Sequence, residues 1–282
     1  MSDDAETGAM PTDAVMYPFK RFLPAPIYYL VRGLRAAGVG LCFAMFWGGS
    51  VIIGWLILPL LWLWPGTRAT KLHRVNRFVR QGFHLFHFTM KTLRLYHRHT
   101  EASALRADGV PADQPCVVVS NHPTLCDVTS ISSLFPNIVA IARPSLANNP
   151  LLRPLVRAIG YVPVGLHMLR EAEERLKMGF DVLIFPEGTR TPLGGPLRTF
   201  HRGAFELAKR ANVPIVLVAL TCEPPALTKR LPIWKVSDRM AVNTVRPFAA
   251  ITPGDSSRET AHAVEQRYRD VLGYSGGLGG AP

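Results

Sequence analysis

The feature that most constrains this chain is an uncharged apolar stretch from residue 36 to residue 67, "AAGVGLCFAMFWGGSVIIGWLILPLLWLWPGT". A helix that crosses the apolar part of a bilayer needs about 20 residues, so the stretch is long enough to do so. Gly48, Gly49 and Ser50 interrupt it midway and Pro59 breaks it again, which predicts two half-length helices. Each half is too short to span, so we expect a hairpin that dips into one leaflet. The alternative, a buried core helix of a soluble protein, is disfavoured by the length of the stretch and its four tryptophans.

The basic residues are concentrated around this apolar stretch. The chain has a formal net charge of +12, and residues 14–100 contain twelve Lys and Arg but no Asp or Glu. Because basic flanks stay on the cytoplasmic side of a membrane, their presence at both ends favours a hairpin over a single crossing. We therefore expect a membrane-associated protein on the cytoplasmic face of the inner (plasma) membrane.

The segment that follows, residues 68–100, has apolar side chains at helical spacing with Arg and Lys between them. This pattern predicts a basic amphipathic helix that lies on an anionic membrane surface. Its histidines, His84 and His87 among them, have no carboxylate or cysteine beside them, so we expect no metal site. Because an apolar stretch adjoins the basic one, we also expect no nucleic-acid partner.

From about residue 110 onward, short apolar runs alternate with helix-like segments. The candidate strands are residues 116–120, 137–142, 161–164, 182–186 and 214–220, with a further strand region near 240–252. The candidate helices are residues 124–134, 150–159, 167–179 and 202–211, and a last helix from about Ser257 to Tyr274 opens with a capping box, Ser256 to Glu259. This rhythm is typical of an α/β domain with a mostly parallel sheet flanked by helices.

These patterns divide the chain into five expected segments. They are a partly disordered N-terminal segment (1–35), an apolar membrane segment (36–66), a basic amphipathic helix (67–105), an α/β domain (106–274) and a disordered tail (275–282). The four cysteines have no CxxC spacing, which indicates neither a disulfide framework nor a zinc site and suits a reducing compartment.

The first motif that carries chemistry is "NHPTLCD", residues 121–127, directly after the strand "CVVVS". His122 is expected in the turn at the carboxyl edge of the sheet, and Pro123 suits the first position of the next helix. Asp127 then lies about one turn into that helix, where its carboxylate can reach one imidazole nitrogen. An oriented neutral imidazole beside a carboxylate is a general base. Cys126 is the alternative nucleophile, although such a cysteine is more often a small packing residue.

The second motif, "VLIFPEGTRT" at residues 182–191, again places a turn after a strand. Gly188 permits a tight backbone there, and Arg190 offers a planar fork for a phosphate or carboxylate. Glu187 could accept hydrogen bonds from a polyol hydroxyl, and Thr189 lies between these residues. The alternative is that Glu187 and Arg190 only pair with each other in a loop.

Together these residues resemble the glycerolipid acyltransferase family, of the lysophosphatidic acid acyltransferase type. "NHPTLCD" looks like its first block, His-x4-Asp, and "FPEGTR" looks like its third. The segment "FHRGAFELAKRANVPIVLVAL", residues 200–220, is similar to the end of the family domain. The resemblance covers roughly residues 115–225.

The resemblance implies transfer of an acyl group from a thioester to the hydroxyl of a lysolipid, with phosphatidic acid as the expected product. His122 would take the hydroxyl proton, and Asp127 would hold the ring. Glu187, Gly188, Thr189 and Arg190 would position the acceptor. Acyl-CoA or an acidic acyl carrier protein would be the donor, and a cationic surface beside a membrane suits the carrier protein. Membrane lipids are the other expected partners, and no cofactor or metal is implied.

One departure from the family pattern concerns the acceptor. The second family block has a glycine, a short apolar strand and then an arginine, whereas here Gly165 stands about where that arginine would be. Arg143, Arg170 and Arg202 are candidate replacements. Otherwise the acceptor carries no phosphate there, and an aminolipid or an unusual secondary lipid becomes plausible.

Two further alternatives belong to other functional classes. The same histidine could activate water, which would make the protein a thioester hydrolase. The chain could also be an inactive membrane adaptor that keeps the fold, although the presence of His122, Asp127 and Glu187 argues against this.

Overall fold

The computed structural model describes residues 16–101, 110–111, 113–191, 197–229 and 231–273 of the chain. An apolar N-terminal helix and a basic helix precede an α/β domain. The predicted disordered tail, residues 275–282, and residues 1–15 of the predicted N-terminal segment 1–35 lie outside the described residues.

The centre of the fold is one seven-stranded sheet in the order β1-β7-β6-β2-β5-β3-β4. The strands are β1 (Tyr96–Thr100), β2 (Val117–Ser120), β3 (Ile138–Ala142), β4 (Val162–Pro163), β5 (Asp181–Ile184), β6 (Ile215–Glu223) and β7 (Ala241–Ile251). Every neighbouring pair is parallel except β6 and β7. The mostly parallel α/β sheet predicted from the sequence is thus confirmed.

The helices cover this sheet and extend beyond it at the N-terminus. They are α1 (Ala25–Ile52), α2 (Leu58–Leu63), α3 (Arg68–Thr92), α4 (Asp127–Leu134), α5 (Pro144–Ala147), α6 (Arg153–Ala158), α7 (Met168–Lys177), α8 (Gly203–Ala211) and α9 (Ser257–Val271). The predicted cap of α9 is present, since the Ser256 hydroxyl accepts a hydrogen bond from the Glu259 N–H at 3.3 Å.

The apolar stretch does not form the predicted pair of half-length helices. Helix α1 passes through Gly48 and Gly49 without a break and joins α2 through a π-helical turn, Ile53–Ile57. A glycine in a helix costs only about 1 kcal/mol relative to alanine, so tertiary packing can hold the helix together. Pro59 follows the π-turn directly, and such local widening accommodates a residue that lacks an N–H.

The hairpin of this structure is instead formed by the apolar helix and α3. Phe43 and Phe46 of α1 pack against Phe86 of α3, with ring centroids 5.9 and 5.1 Å apart. Residues Ala25–Leu63 form a single helix, 39 residues long, that by length and composition alone could cross a membrane. Many of its side chains are exposed, including Leu41, Met45, Leu56, Leu60 and Leu63.

The basic helix is shorter than predicted. Helix α3 ends at Thr92, and Tyr96–Thr100 then form β1, which pairs with β7 at the edge of the sheet. The predicted helix 67–105 includes this segment, "YHRHT", because its polar residues form no apolar run that would predict a strand. Charged and polar side chains are common on edge strands, where they discourage pairing with other chains.

The pairing of β2 with β5 brings the two motifs together. Val119 of β2 lies opposite Ile184 of β5, so both chains leave the sheet at the same carboxyl edge. The two motifs, about sixty residues apart in sequence, therefore form neighbouring loops.

A buried tyrosine ties α9 to the middle of this sheet. The hydroxyl of Tyr268 donates to the carbonyl of Val119 at 2.7 Å and accepts from the N–H of Val218 at 3.0 Å. Val218 lies at an irregularity in the β6–β7 pairing, and Tyr268 is completely buried. The tyrosine thus satisfies backbone groups that water cannot reach.

Replacing Tyr268 by phenylalanine should lower the free energy of unfolding by about 1–3 kcal/mol, because it leaves buried backbone groups unpaired. Chemical denaturation of Tyr268→Phe in detergent micelles measures this loss. Tyr29→Phe is the matched control, since Tyr29 is 59% exposed, and it should leave stability unchanged. Equal stabilities for both variants would contradict the role given to the Tyr268 hydroxyl.

Candidate active site

The centre of the candidate site is a histidine–aspartate pair at the carboxyl end of β2. His122 lies in the loop after β2, and Asp127 is the first residue of α4. The Nδ1 atom of His122 is 2.8 Å from Oδ2 of Asp127, which is a hydrogen bond. The hydrogen bond predicted from the spacing is present, but the predicted helix start is wrong: Asp127 begins the helix instead of lying one turn into it, and Pro123 lies in the preceding loop.

The carboxylate of Asp127 is completely buried and held by several donors. Its Oδ2 atom accepts from the backbone N–H of Thr124 at 2.6 Å, and its Oδ1 atom accepts from the Thr124 hydroxyl at 2.5 Å. The side-chain amide of Asn243 on β7 donates to Oδ1 at 2.9 Å. A buried carboxylate is costly unless its oxygens are hydrogen-bonded, and these contacts also fix its position.

The imidazole of His122 is fixed by ring stacking as well as by the hydrogen bond of its Nδ1 atom. Its ring stacks on Phe185, with centroids 4.2 Å apart and an interplanar angle of 22°. Its side chain is 17% exposed, and it lines a cavity. Since Nδ1 is bound to Asp127, Nε2 is the ring nitrogen left to exchange a proton with a ligand in that cavity.

Glu187 is only 3% exposed and its carboxylate is bonded to protein donors, so its predicted contact with an acceptor hydroxyl stays a prediction. Its Oε1 atom accepts from the Thr191 hydroxyl at 2.6 Å and from the His122 N–H at 3.3 Å, and its Oε2 atom accepts from the Arg198 N–H at 3.3 Å. Burial raises the pKa of Glu187, while these hydrogen bonds oppose the rise. Glu187 therefore joins the two motif loops and positions the histidine backbone. The other interaction predicted for Glu187, a pair with Arg190, is not formed. Arg190 instead donates to the Leu227 carbonyl at 3.3 Å.

Two arginines lie with His122 around the cavity. Arg143 follows β3, and its Nη2 atom approaches the Gly188 carbonyl at 3.4 Å. Burial, followed by the nearby charge of Arg143, lowers the pKa of Arg190, so the two guanidinium groups are close enough to repel each other. Two cations that face one cavity form a ready site for an anion.

The remaining predicted residues have different positions. Gly188 lines the cavity and has φ +66°, the left-handed region that favours glycine. Thr189 is half-buried, and Arg202 and Arg170 are exposed. The described lining of the cavity includes none of these last three residues. Arg202 lies just before α8, so the structure gives no support for its predicted contact with the acceptor.

The cavity has a volume of about 380 Å³ and is mainly apolar. One wall comes from α1 and α3, through Phe43, Phe46, Trp47, Phe83 and Phe86, and the other from the α/β domain, through residues such as Ile141, Leu152, Leu155, Val156 and Ile159. Its basic groups come from His122, Arg143 and Arg190, and its hydroxyl groups come from Ser50, Thr129, Ser145 and Tyr161. A cavity of this kind suits a long apolar chain that ends in a polar or anionic group.

Cys126 lines the same cavity but is a poor nucleophile. It is 2% exposed, and burial together with the nearby charge of Asp127 raises its thiol pKa well above the ordinary value. The thiolate is the reactive form, so this environment disfavours reaction at neutral pH. Among the described residues, no group of three or more His, Cys, Asp and Glu side chains is placed to hold a metal ion.

Comparison with known proteins gives a match over this part of the chain. A family model described as Acyltransferase matches residues 104–221, a range that contains both motifs and is less than half of the chain. The resemblance to glycerolipid acyltransferases drawn from "NHPTLCD" and "FPEGTR" is therefore confirmed.

Several curated relatives are named 1-acyl-sn-glycerol-3-phosphate acyltransferases. The chloroplastic BAT2 of Brassica napus is 29% identical over 206 residues, which cover 70% of this chain and 56% of that protein. The alpha protein of Mus musculus is 29% identical over 68% of this chain and 73% of its own length. The Pseudomonas aeruginosa protein is 32% identical, over 38% of this chain and 44% of its own. The chain thus spans only about half the length of the Brassica and Pseudomonas proteins.

A solved structure shares the fold. The crystal structure of the 1-acyl-sn-glycerophosphate (LPA) acyltransferase PlsC from Thermotoga maritima matches with a TM-score of 0.65. It covers 91% of this chain and 100% of its own, at 22% identity. At this identity the likeness supports the fold, including the helices that precede the sheet.

Sequence reasoning missed several residues that organise the site. Thr124 lies inside the first motif, and a threonine hydroxyl that can accept from the N–H two residues on, as it does from Cys126 at 3.2 Å, is a signal that could have identified it. Asn243 lies on β7, more than one hundred residues from Asp127, and no local pattern connects the two. In the sequence Phe185 belongs to an apolar strand, so its stacking on His122 could be found only from the structure.

Loss of the Asn243 amide should slow the reaction without weakening substrate binding. In Asn243→Ala the carboxylate of Asp127 loses one hydrogen bond, and we expect kcat to fall about tenfold with KM unchanged. Steady-state kinetics of the acyl transfer proposed below measure both constants. Thr244→Ala, on the opposite face of the same strand, is the matched control. If kcat is the same in both variants, Asn243 does not position Asp127.

Proposed function

We propose that this protein is an O-acyltransferase that moves a fatty acyl group from a thioester to the hydroxyl of lysophosphatidic acid, forming phosphatidic acid. The observation that carries the proposal is the position of His122. Its ring, held by Asp127, lies at one cavity with two arginines and a long apolar interior. The match of residues 104–221 to the acyltransferase family model and the names of the curated relatives support the same reaction.

In this mechanism His122 acts as a general base. Its Nε2 atom takes the proton of the acceptor hydroxyl as the hydroxyl oxygen attacks the thioester carbonyl carbon. The tetrahedral intermediate then expels the thiolate, which leaves as the free thiol once it takes up a proton. Asp127 keeps the ring oriented and stabilises the imidazolium that forms, as the carboxylate does in a catalytic triad. The acceptor itself is the nucleophile, so Cys126 has no covalent role.

The two arginines explain how an acceptor phosphate can be held without the arginine of the second family block. Gly165, at about that position, is exposed, whereas Arg143 and Arg190 lie at the cavity from two other loops. Bidentate guanidinium contacts are well suited to a phosphate. The apolar interior between α1, α3 and the domain would then hold an acyl chain.

The proposal includes membrane association on the cytoplasmic face and a donor that is acyl-CoA or acyl carrier protein. The exposed apolar side chains of Ala25–Leu63 and the basic residues of α3 support an attachment to a membrane surface. The net charge of +12 supports an acidic donor, since both coenzyme A and an acyl carrier protein are anionic.

Removal of the base should abolish product formation. We expect His122→Ala to lower kcat at least about a hundredfold, because general-base catalysis typically contributes 10²–10⁴ in rate. The assay uses the full chain in lipid–detergent micelles with lysophosphatidic acid and a labelled acyl-CoA, and in parallel a labelled acyl carrier protein. His262→Ala, exposed on α9, is the matched control.

Product analysis separates this reaction from the alternatives. Labelled phosphatidic acid that disappears in His122→Ala supports the proposal. Free labelled fatty acid alone would indicate a thioester hydrolase, and the absence of both products from a folded protein would indicate an inactive adaptor.

The arginines should be tested through the acceptor. Arg143→Gln and Arg190→Gln should each raise the KM for lysophosphatidic acid about tenfold, because each removes a charge-assisted contact to phosphate. Monoacylglycerol, which carries no phosphate, should show no such change. Arg202→Gln is the matched control because it lies outside the cavity lining. A KM that stays constant in both cavity variants would favour an acceptor without a phosphate.

A further inference from the structure

A second cavity lies beside the first and has a different chemical character. It has a volume of about 580 Å³ and lies between the start of α3, helices α5, α6 and α7, and strand β4. Val156, Tyr161 and Val164 line both cavities, whereas His122, Arg143 and Arg190 line only the first. The second cavity is therefore separate from the proposed catalytic centre.

The charged residues of this second cavity are mostly cations. Arg68, Arg153, Arg157 and Arg175 line it, together with a single carboxylate, that of Glu171. Arg153 and Arg157 are one turn apart on α6 and are exposed. The excess of positive charge favours an anionic ligand.

Arg175 gives an independent indication that something binds here. It is 7% exposed, and its Nε atom donates to the Gly160 carbonyl at 3.0 Å. Its Nη1 atom is buried and has no hydrogen-bond partner among the described residues. Burial, followed by the charge of Arg68, lowers its pKa. A buried guanidinium donor is normally paired, so an acceptor from a ligand accounts for this group better than the protein alone.

The surroundings of the cavity identify the kind of ligand. Trp55, 52% exposed, donates from its indole N–H to the Leu151 carbonyl at 3.1 Å, just before Arg153. Leu63 and Trp64, 79% and 67% exposed, lie shortly before Arg68. Exposed tryptophan and leucine next to arginine are typical of the level where lipid headgroups meet acyl chains.

We propose that this arginine cavity binds the phosphate group of an anionic membrane phospholipid, at a site distinct from the His122 centre. The four arginines would hold the phosphate, and the neighbouring apolar side chains of the N-terminal helix would contact the lipid chains. The bound lipid would thereby fix the end of the apolar helix against α6, where Gly54 already lies close to Leu155. This inference concerns binding and does not depend on the reaction proposed above.

The test measures binding through thermal stability. A ligand that binds only the folded protein raises the melting temperature as its concentration increases. The full chain in dodecyl maltoside micelles is titrated with dihexanoyl-phosphatidylglycerol, with dihexanoyl-phosphatidylcholine and with inorganic phosphate. Phosphatidylglycerol is used because it is anionic but is neither the proposed acceptor nor the proposed product.

The variants locate the site. Arg153→Gln combined with Arg157→Gln should weaken the apparent affinity for phosphatidylglycerol at least about tenfold, because two charge-assisted contacts are lost. Both residues are exposed, so the fold does not depend on them, and the circular dichroism of the variant should be unchanged. Arg258→Gln with Arg267→Gln removes the same charge from the exposed face of α9 and should bind as the unaltered chain does. Arg143→Gln with Arg190→Gln should also retain binding.

Three results would overturn the proposal. An equal loss of affinity in the cavity variant and the α9 variant would indicate general charge attraction and no specific site. A loss in the Arg143 and Arg190 variant alone would place the lipid in the catalytic cavity. Inorganic phosphate that stabilises the chain as well as phosphatidylglycerol would identify a soluble phosphate, not a lipid, as the occupant.

Discussion

The arrangement of this protein depends on the parallel pairing of β2 with β5. Opposite residues Val119 and Ile184 bring the two loops that follow to one edge of the sheet. Thr191 and Glu187 then connect these loops, since the Thr191 N–H donates to the His122 carbonyl at 2.7 Å and the Thr191 hydroxyl donates to Glu187 at 2.6 Å. The backbone of His122 is thus held by the loop after β5, and its side chain is held by Asp127 at the start of α4.

This connection gives the buried carboxylate of Glu187 a structural role. Burial alone raises the pKa of Glu187, which means that the environment disfavours the ionised form. Three donors, from His122, Thr191 and Arg198, reduce that cost without removing it. A glutamate has two acceptor oxygens with four lone-pair sites, so it can join two loops and a third segment at once. Glutamine has only one acceptor oxygen and could not replace all of these contacts.

What could be predicted from the sequence is the local part of the design. The His122–Asp127 pair lies on one strand–turn–helix unit, so their spacing was enough to predict the hydrogen bond. Asn243 reaches Asp127 from a distant strand, and β1 consists of polar residues without an apolar run, so neither produces a local signal. The prediction that the helix breaks at Gly48 and Gly49 was wrong for a related reason. Helix propensity is a weak local preference, whereas the packing of α1 on α3 is a tertiary contact that outweighs it.

The apolar N-terminal helix has consequences for the cavity as well as for membrane attachment. Phe43, Phe46 and Trp47 of α1 form part of the wall of the His122 cavity, while other faces of the same helix expose Leu41 and Met45. In the proposed function, an acyl chain that moved along this helix from a membrane to the His122 cavity would avoid exposure to water, which costs about 0.8 kcal/mol per methylene group. Near its end the helix contacts the segment around α6, where Trp55 donates to the Leu151 carbonyl and Gly54 lies close to Leu155. One continuous helix, in place of two short ones, thus lines the His122 cavity and also reaches α6, which carries Arg153 and Arg157 of the second cavity.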